Sequence, residues 1–105
     1  MKSMLLFSLF AFSGVVFAGE DEFQSAKGVG YALVIVEKCT GISPPPNYVQ
    51  RVRAGMTNAG IDDEDFRQGF VAGAVQAERD YRGKPPANEC KDAKRIKAQI
   101  DKLIL

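Results

Sequence analysis

The 105-residue chain has no histidine and no tryptophan. Without histidine it lacks the commonest general base, any serine–histidine nucleophile and most zinc sites. Cysteine is reduced to Cys39 and Cys90, too far apart to form a C-x-x-C redox pair. Beyond residue 18 the only serines are Ser25 and Ser43. Asn47, Asn58 and Asn88 are not followed two positions on by Ser or Thr, so the chain has no N-glycosylation acceptor. Neither sign of charge dominates. There are 14 basic and 13 acidic residues, and a balanced chain has no electrostatic footprint for nucleic acid.

Two short motifs approach a known chemistry and fall short of it. Gly28-Val29-Gly30 starts like a dinucleotide turn, but Leu33 stands where the third glycine is needed and no strand precedes it. Asp62-Asp63-Glu64-Asp65 is the densest acidic run, without the alternating oxygen ligands and central glycine of a calcium loop. It reads instead as a capped helix start favoured by the helix dipole. The sequence therefore assigns no catalytic residue, no metal ligand and no cofactor. It points to a protein that is not an enzyme. The rival of another class is an enzyme working with Asp, Glu, Arg and Tyr alone.

What the chain does have begins at its amino terminus. Lys2 is the only charge before Glu20, Met4 to Phe17 is almost wholly apolar or small, and Val16-Phe17-Ala18 offers compact residues for signal peptidase. A basic start, a short apolar core and a small-residue exit describe a secretory signal peptide over residues 1–18. The apolar run is shorter than the ~20 residues a spanning helix needs. Cleavage after Ala18 leaves 87 of the 105 residues as one domain, 19–105, in the periplasm or outside the cell.

Glycine, proline and capping residues divide that domain into four helical segments. The first runs from about Glu22 to Thr40, with acidic residues at its start, Lys38 near its end and Gly41 after it. Leu33-Val34-Ile35-Val36 is β-branched enough for a strand, but no second strand-like run exists to pair with it, so a helix buried on most sides is expected. Ser43-Pro44-Pro45-Pro46 forms a rigid connection. Asn47 is placed to cap a second helix to about Ala59, with Tyr48, Val49, Val52 and Met56 on its apolar side and Gly60 as its stop. Asp62 is placed to cap a third, whose stripe Phe66, Phe70, Gly73, Ala74, Ala77 and Tyr81 is the clearest helical period in the chain. Gly83 and Pro85-Pro86 follow. Asn88 is placed to cap a fourth, to about Ile104, whose apolar face is Cys90, Ala93, Ile96, Ile100, Leu103 and Ile104. Its basic residues Lys91, Lys94, Arg95 and Lys102 read as a solvated face over that core face.

The expected fold is thus all-α, a small up-down bundle of about four helices. Such a bundle brings the end of the first helix and the start of the fourth to the same pole, which is where Cys39 and Cys90 lie. In an oxidising compartment the two should form one disulfide, and a domain this small needs a staple. Gly69 and Gly73 share a face of the third helix at a cost of roughly 1 kcal/mol each against alanine. Close approach of another backbone, from the first helix or from another protein, would offset it. With Phe70 they make a candidate interaction face.

In size, export, helicity and single disulfide the chain is similar to two groups of bacterial envelope proteins. One is the periplasmic acid-stress chaperones. The other is the small immunity proteins that neutralise cell-wall amidases delivered by neighbouring bacteria. The likeness is one of format and transfers no residue. Since catalytic chemistry is missing and a small rigid disulfide domain is a common format for binders and inhibitors, the expectation is a small exported helical protein acting by protein binding, of the inhibitor or immunity type. The alternatives are a periplasmic stress or acid chaperone and an accessory subunit of an envelope assembly. The expected partner is another protein, not nucleic acid, and the membrane is met only transiently during export.

Overall fold

The computed structural model describes residues 19–104, and the expected signal peptide, 1–18, lies outside them. Four helices account for most of this stretch: α1 (Gly19–Thr40), α2 (Tyr48–Asn58), α3 (Asp63–Asp80) and α4 (Ala87–Ile104). They form a small all-α bundle stapled by a disulfide between Cys39 and Cys90, whose Cα atoms are 5.9 Å apart. The β-branched run Leu33–Val36 is helical throughout. Leu33 and Ile35 are buried and Val34 and Val36 half-buried, so packing on α3 and α4 takes up what would be strand-like side chains.

The punctuation follows local chemistry with two corrections. Gly41 and Gly60 adopt φ of 74° and 104° and end α1 and the α2 turn, the left-handed conformation in which glycine is least strained. The Asp62 side chain accepts hydrogen bonds from the backbone N–H of Glu64 and of Asp65, capping α3 as expected. Asn47, in contrast, makes no side-chain cap: its backbone (φ −95°, ψ 6°) already turns with the helix, and Pro45 C=O receives the Tyr48 N–H. Asn88 is not a cap either. α4 starts two residues earlier than such a cap would set, at Ala87, with the Cys90 N–H bonded to Pro86 C=O, because Pro85-Pro86 fixes the helical entry. At the far end of α4, Leu103 was expected on the core face and is 47% exposed.

Helix directions alternate along the chain, but the packing does not join sequence neighbours throughout. α1 packs on α3 and α4, and α2 packs on the same two, whereas α1 with α2 and α3 with α4 make no close backbone approach. Two of the packed pairs therefore run parallel: α1 with α3, and α2 with α4. Parallel packing of α1 and α3 depends on small residues. Gly30, Gly69 and Gly73 are buried, and Ala26 and Ala77 are fully buried beside them.

The core has two parts. The larger draws on all four helices: Val29 and Leu33 of α1, Tyr48, Val52 and Met56 of α2, Phe66 of α3 and Ile100 of α4, closed by Ile61. The smaller, at the disulfide end, consists of Ala32, Ile35, Ala77 and Ala93. α2 spans only 11 residues and contributes nothing there. The disulfide thus lies where the apolar packing is thinnest.

Candidate functional site

The seam between α1 and α3 holds the glycines singled out by the sequence. A Cβ on Gly69 would come within 2.6 Å of the Phe23 carbonyl oxygen, and one on Gly73 would fall on the Lys27 carbonyl. Both glycines thus face α1 of the same chain, which occupies the surface that another protein would have needed. Phe70 is half-buried and stacks at an angle on Phe66, with 5.4 Å between ring centroids. Its own carbonyl is the atom that a Cβ on Gly30 would strike. Gly30 is the member of this seam that sequence reasoning passed over. The available signal was its four-residue spacing from Ala26, a small-residue pair facing the Gly69–Gly73 pair.

The opposite side of α3 is open. Val71 and Val75 stand one turn apart, 54% and 46% exposed, flanked by Gln68 and by the Arg67–Glu64 and Glu78–Lys38 ion pairs. No sequence signal flags this pair, because the clear helical stripe is on the side that carries the aromatics and glycines.

Among the described residues, clefts indent the surface at two places of note. One, of about 300 Å³, lies between α1 and α4 over Ala32, Ile35, Ala93 and Ile96, with Tyr31, Lys27 and Glu89 at its rim. The other, of about 420 Å³, is bordered by Glu37, Lys38, Glu78, Arg82 and Lys84. Among the described residues no group of three or more cysteine, aspartate or glutamate side chains is arranged to hold a metal ion.

The tyrosines are held as phenols. Burial, reinforced by the hydrogen bond it donates to Asp80 at 3.0 Å, raises the Tyr31 hydroxyl to about 12. Burial also pushes Tyr48 above its usual range, and here the hydroxyl donates to Asp101 at 2.5 Å. Burial pushes the Asp101 carboxyl up, but the hydrogen bonds from Tyr48 and from Lys97 outweigh it and hold the group below the usual carboxylate range. The Lys97 ammonium also sits 5.1 Å from the centre of the Tyr48 ring. This cluster joins α2 to α4. Between α2 and α3, Arg53 grips Asp63 through two guanidinium nitrogens, and that hydrogen bond lowers the Asp63 carboxyl. These polar groups clamp one helix to another, and the titratable ones are all engaged with a partner.

The disulfide bridges the end of α1 to the first turn of α4, with the Cys90 side chain buried beside the Pro85 carbonyl. The site residues named from the sequence therefore separate into a staple, Cys39–Cys90, and an internal helix seam, Gly69, Gly73 and Phe70. The chain matches no protein-family model, and no curated protein or solved structure is detectably similar to it.

Proposed function

We propose that this is a small exported helical protein that acts by binding another protein, as an inhibitor or immunity-type partner, after loss of residues 1–18. The observation that carries the reading is the Val71–Val75 pair. Two aliphatic side chains one turn apart are exposed on a helix whose other side is locked onto α1. A preordered helix face with an apolar centre and a charged rim is the format of a helix-borne interface, and it loses little conformational entropy on binding.

The test starts with cross-linking and capture from an envelope extract, followed by purification of the captured protein. Val71→Asp and Val75→Asp replace exposed side chains, so each should leave the unfolding midpoint nearly unchanged. Each should weaken binding to the purified partner by at least tenfold, because a carboxylate would be desolvated in the interface. Unaltered affinity in both variants would contradict the assignment of this face.

A second reading, an acid-responsive chaperone, is favoured by the clamps. Hydrogen bonding holds the folded-state carboxyls of Asp63, Glu64 and Asp101 below their ordinary range. A lowered carboxyl contributes stability that is fully present above its unfolded pKa of about 4 and lost as pH falls through the folded value. Stability is therefore expected to decline below about pH 4, as the α2–α3 and α2–α4 clamps release. The raised tyrosines have the opposite sign, their contribution being lost as pH rises above about 10. Urea midpoints measured from pH 7 to pH 2, with a dye for exposed apolar surface, read this directly. A midpoint unchanged down to pH 2.5 would remove the chaperone reading.

A further inference from the structure

The neutral composition hides a separation of charge. Counting from Glu22, α1 and α3 carry seven carboxylates against four basic side chains, while α2 and α4 carry seven basic side chains against three acidic ones. α1 packs on α3 and α2 on α4, and the two pairs join through α1–α4 and α2–α3 contacts. One layer of the bundle is acidic and the other basic.

On α4 the helical period places Ala87, Lys91, Lys94, Arg95, Ala98 and Lys102 on one exposed face, at whose edge Arg95 pairs with Asp92. Lys91, Lys94 and Lys102 form no ion pair among the described residues. Arg51 of α2 extends the row, donating to the Ile104 carbonyl at the end of α4. We propose that this α2/α4 layer docks on an anionic lipid bilayer surface. The inference goes beyond the protein-binding reading, uses a different face, and departs from the expectation that the membrane is met only during export.

Several features select a bilayer. From Lys91 to Lys102 the row runs straight for about 16 Å along one helix. It follows a convex ridge, and the two clefts described above are bordered by other residues. A ridge meets a plane of laterally mobile phosphates without needing fixed complementary geometry. The unpaired cations are lysines, compact point charges on flexible stems, and not the forked guanidiniums that read one fixed carboxylate. Ala87 and Ala98 leave those stems uncrowded. The carboxylates that would repel the same surface sit mostly in the α1/α3 layer, and the exposed carboxylate at the edge of the row, Asp92, is paired with Arg95.

The experiment is co-sedimentation of the exported protein with vesicles. One set is phosphatidylglycerol with phosphatidylethanolamine, and the other is phosphatidylcholine alone. At 20 mM salt the protein should partition onto the anionic vesicles and not onto the neutral ones. At 0.5 M salt it should be released, because the field is screened within a few ångströms. Each lysine near an anionic surface is worth roughly fivefold in partitioning, so the Lys91→Gln, Lys94→Gln, Lys102→Gln triple variant should lose on the order of a hundredfold. These side chains are exposed, so the triple variant should keep its helical spectrum. Arg79→Gln, in the acidic layer, should bind like the parent. Equal binding to both vesicle types, no binding to anionic vesicles at low salt, or an unimpaired triple variant would overturn the proposal. So would retention on immobilised polyglutamate without vesicle binding, which would assign the face to an acidic protein.

Discussion

Gly73→Ala is expected to destabilise the protein by about 1–3 kcal/mol or more, the range for inserting a methyl group where there is no room. The new Cβ would fall on the Lys27 carbonyl oxygen and lie 2.8 Å from the Tyr31 backbone nitrogen. Those obstacles are main-chain atoms of α1, and no rotamer change can clear them. Relief requires α1 and α3 to separate, which would open both core clusters, since α1 contributes to each. Gly30→Ala meets the Phe70 carbonyl from the other side of the seam and should behave alike, while Gly69→Ala strikes Phe23 and Ala26. Gly28 is the internal control: it sits in the same helix, is exposed, and beyond its own stretch of helix has no heavy atom within 4 Å of where its Cβ would be. Gly28→Ala should therefore stabilise, by up to about 1 kcal/mol, through helix propensity alone. Urea unfolding monitored by circular dichroism separates the two signs, provided the slope with denaturant is unchanged. A Gly73→Ala variant as stable as the parent would show that the helices are not in main-chain contact there.

What could be read beforehand, and what could not, follows from which interactions are local. The Asp62 cap and the Gly41 and Gly60 ends depend on a few adjacent residues, so the sequence located them. The stripes of α2 and α3 repeat at the helical period and named what those helices give the core: Tyr48, Val52, Met56, Phe66 and Ala77. Asn47 and Asn88 had the right residue type for caps, but neighbouring prolines already set the backbone, which a propensity for capping does not register. The partnership of α1 with α3 was one of two options, because short connections favour sequence neighbours. The choice came from shape: only a helix with Ala26 and Gly30 spaced four apart fits a helix with Gly69 and Gly73 spaced four apart. The same non-local step placed α2 beside α4 and so gathered the basic side chains into one layer, which the balanced composition concealed. The open Val71–Val75 pair was missed for a related reason: a stripe on one side of a helix says nothing about a small apolar pair on the other.

Loss of the Cys39–Cys90 bond should have the other large effect, about 2–5 kcal/mol, the usual range for a small secreted domain. The bond spans 51 residues. Releasing a loop of that length returns on the order of 4 kcal/mol of conformational freedom to the unfolded chain in the entropic account. The folded state has little to replace it at that end. Ala32, Ile35, Ala77 and Ala93 make a small core there, and α2 does not reach it. Breaking the bond should thus loosen one pole of the bundle before the other. Hydrogen exchange under reducing conditions should accelerate first in the last turns of α1 and the first turns of α4. Amides near Val52, Phe66 and Ile100, in the core shared by all four helices, should stay protected until global unfolding. Cys39→Ala, Cys90→Ala and the double variant should lose nearly the same stability, since each removes one and the same cross-link. A reductant should shift the parent's urea midpoint and leave that of the double variant where it was. If exchange instead rose uniformly across all four helices, the two core clusters would be a single cooperative unit. If the parent's midpoint did not move with reductant, the staple would contribute nothing to stability, and the thin core at that pole would be sufficient by itself.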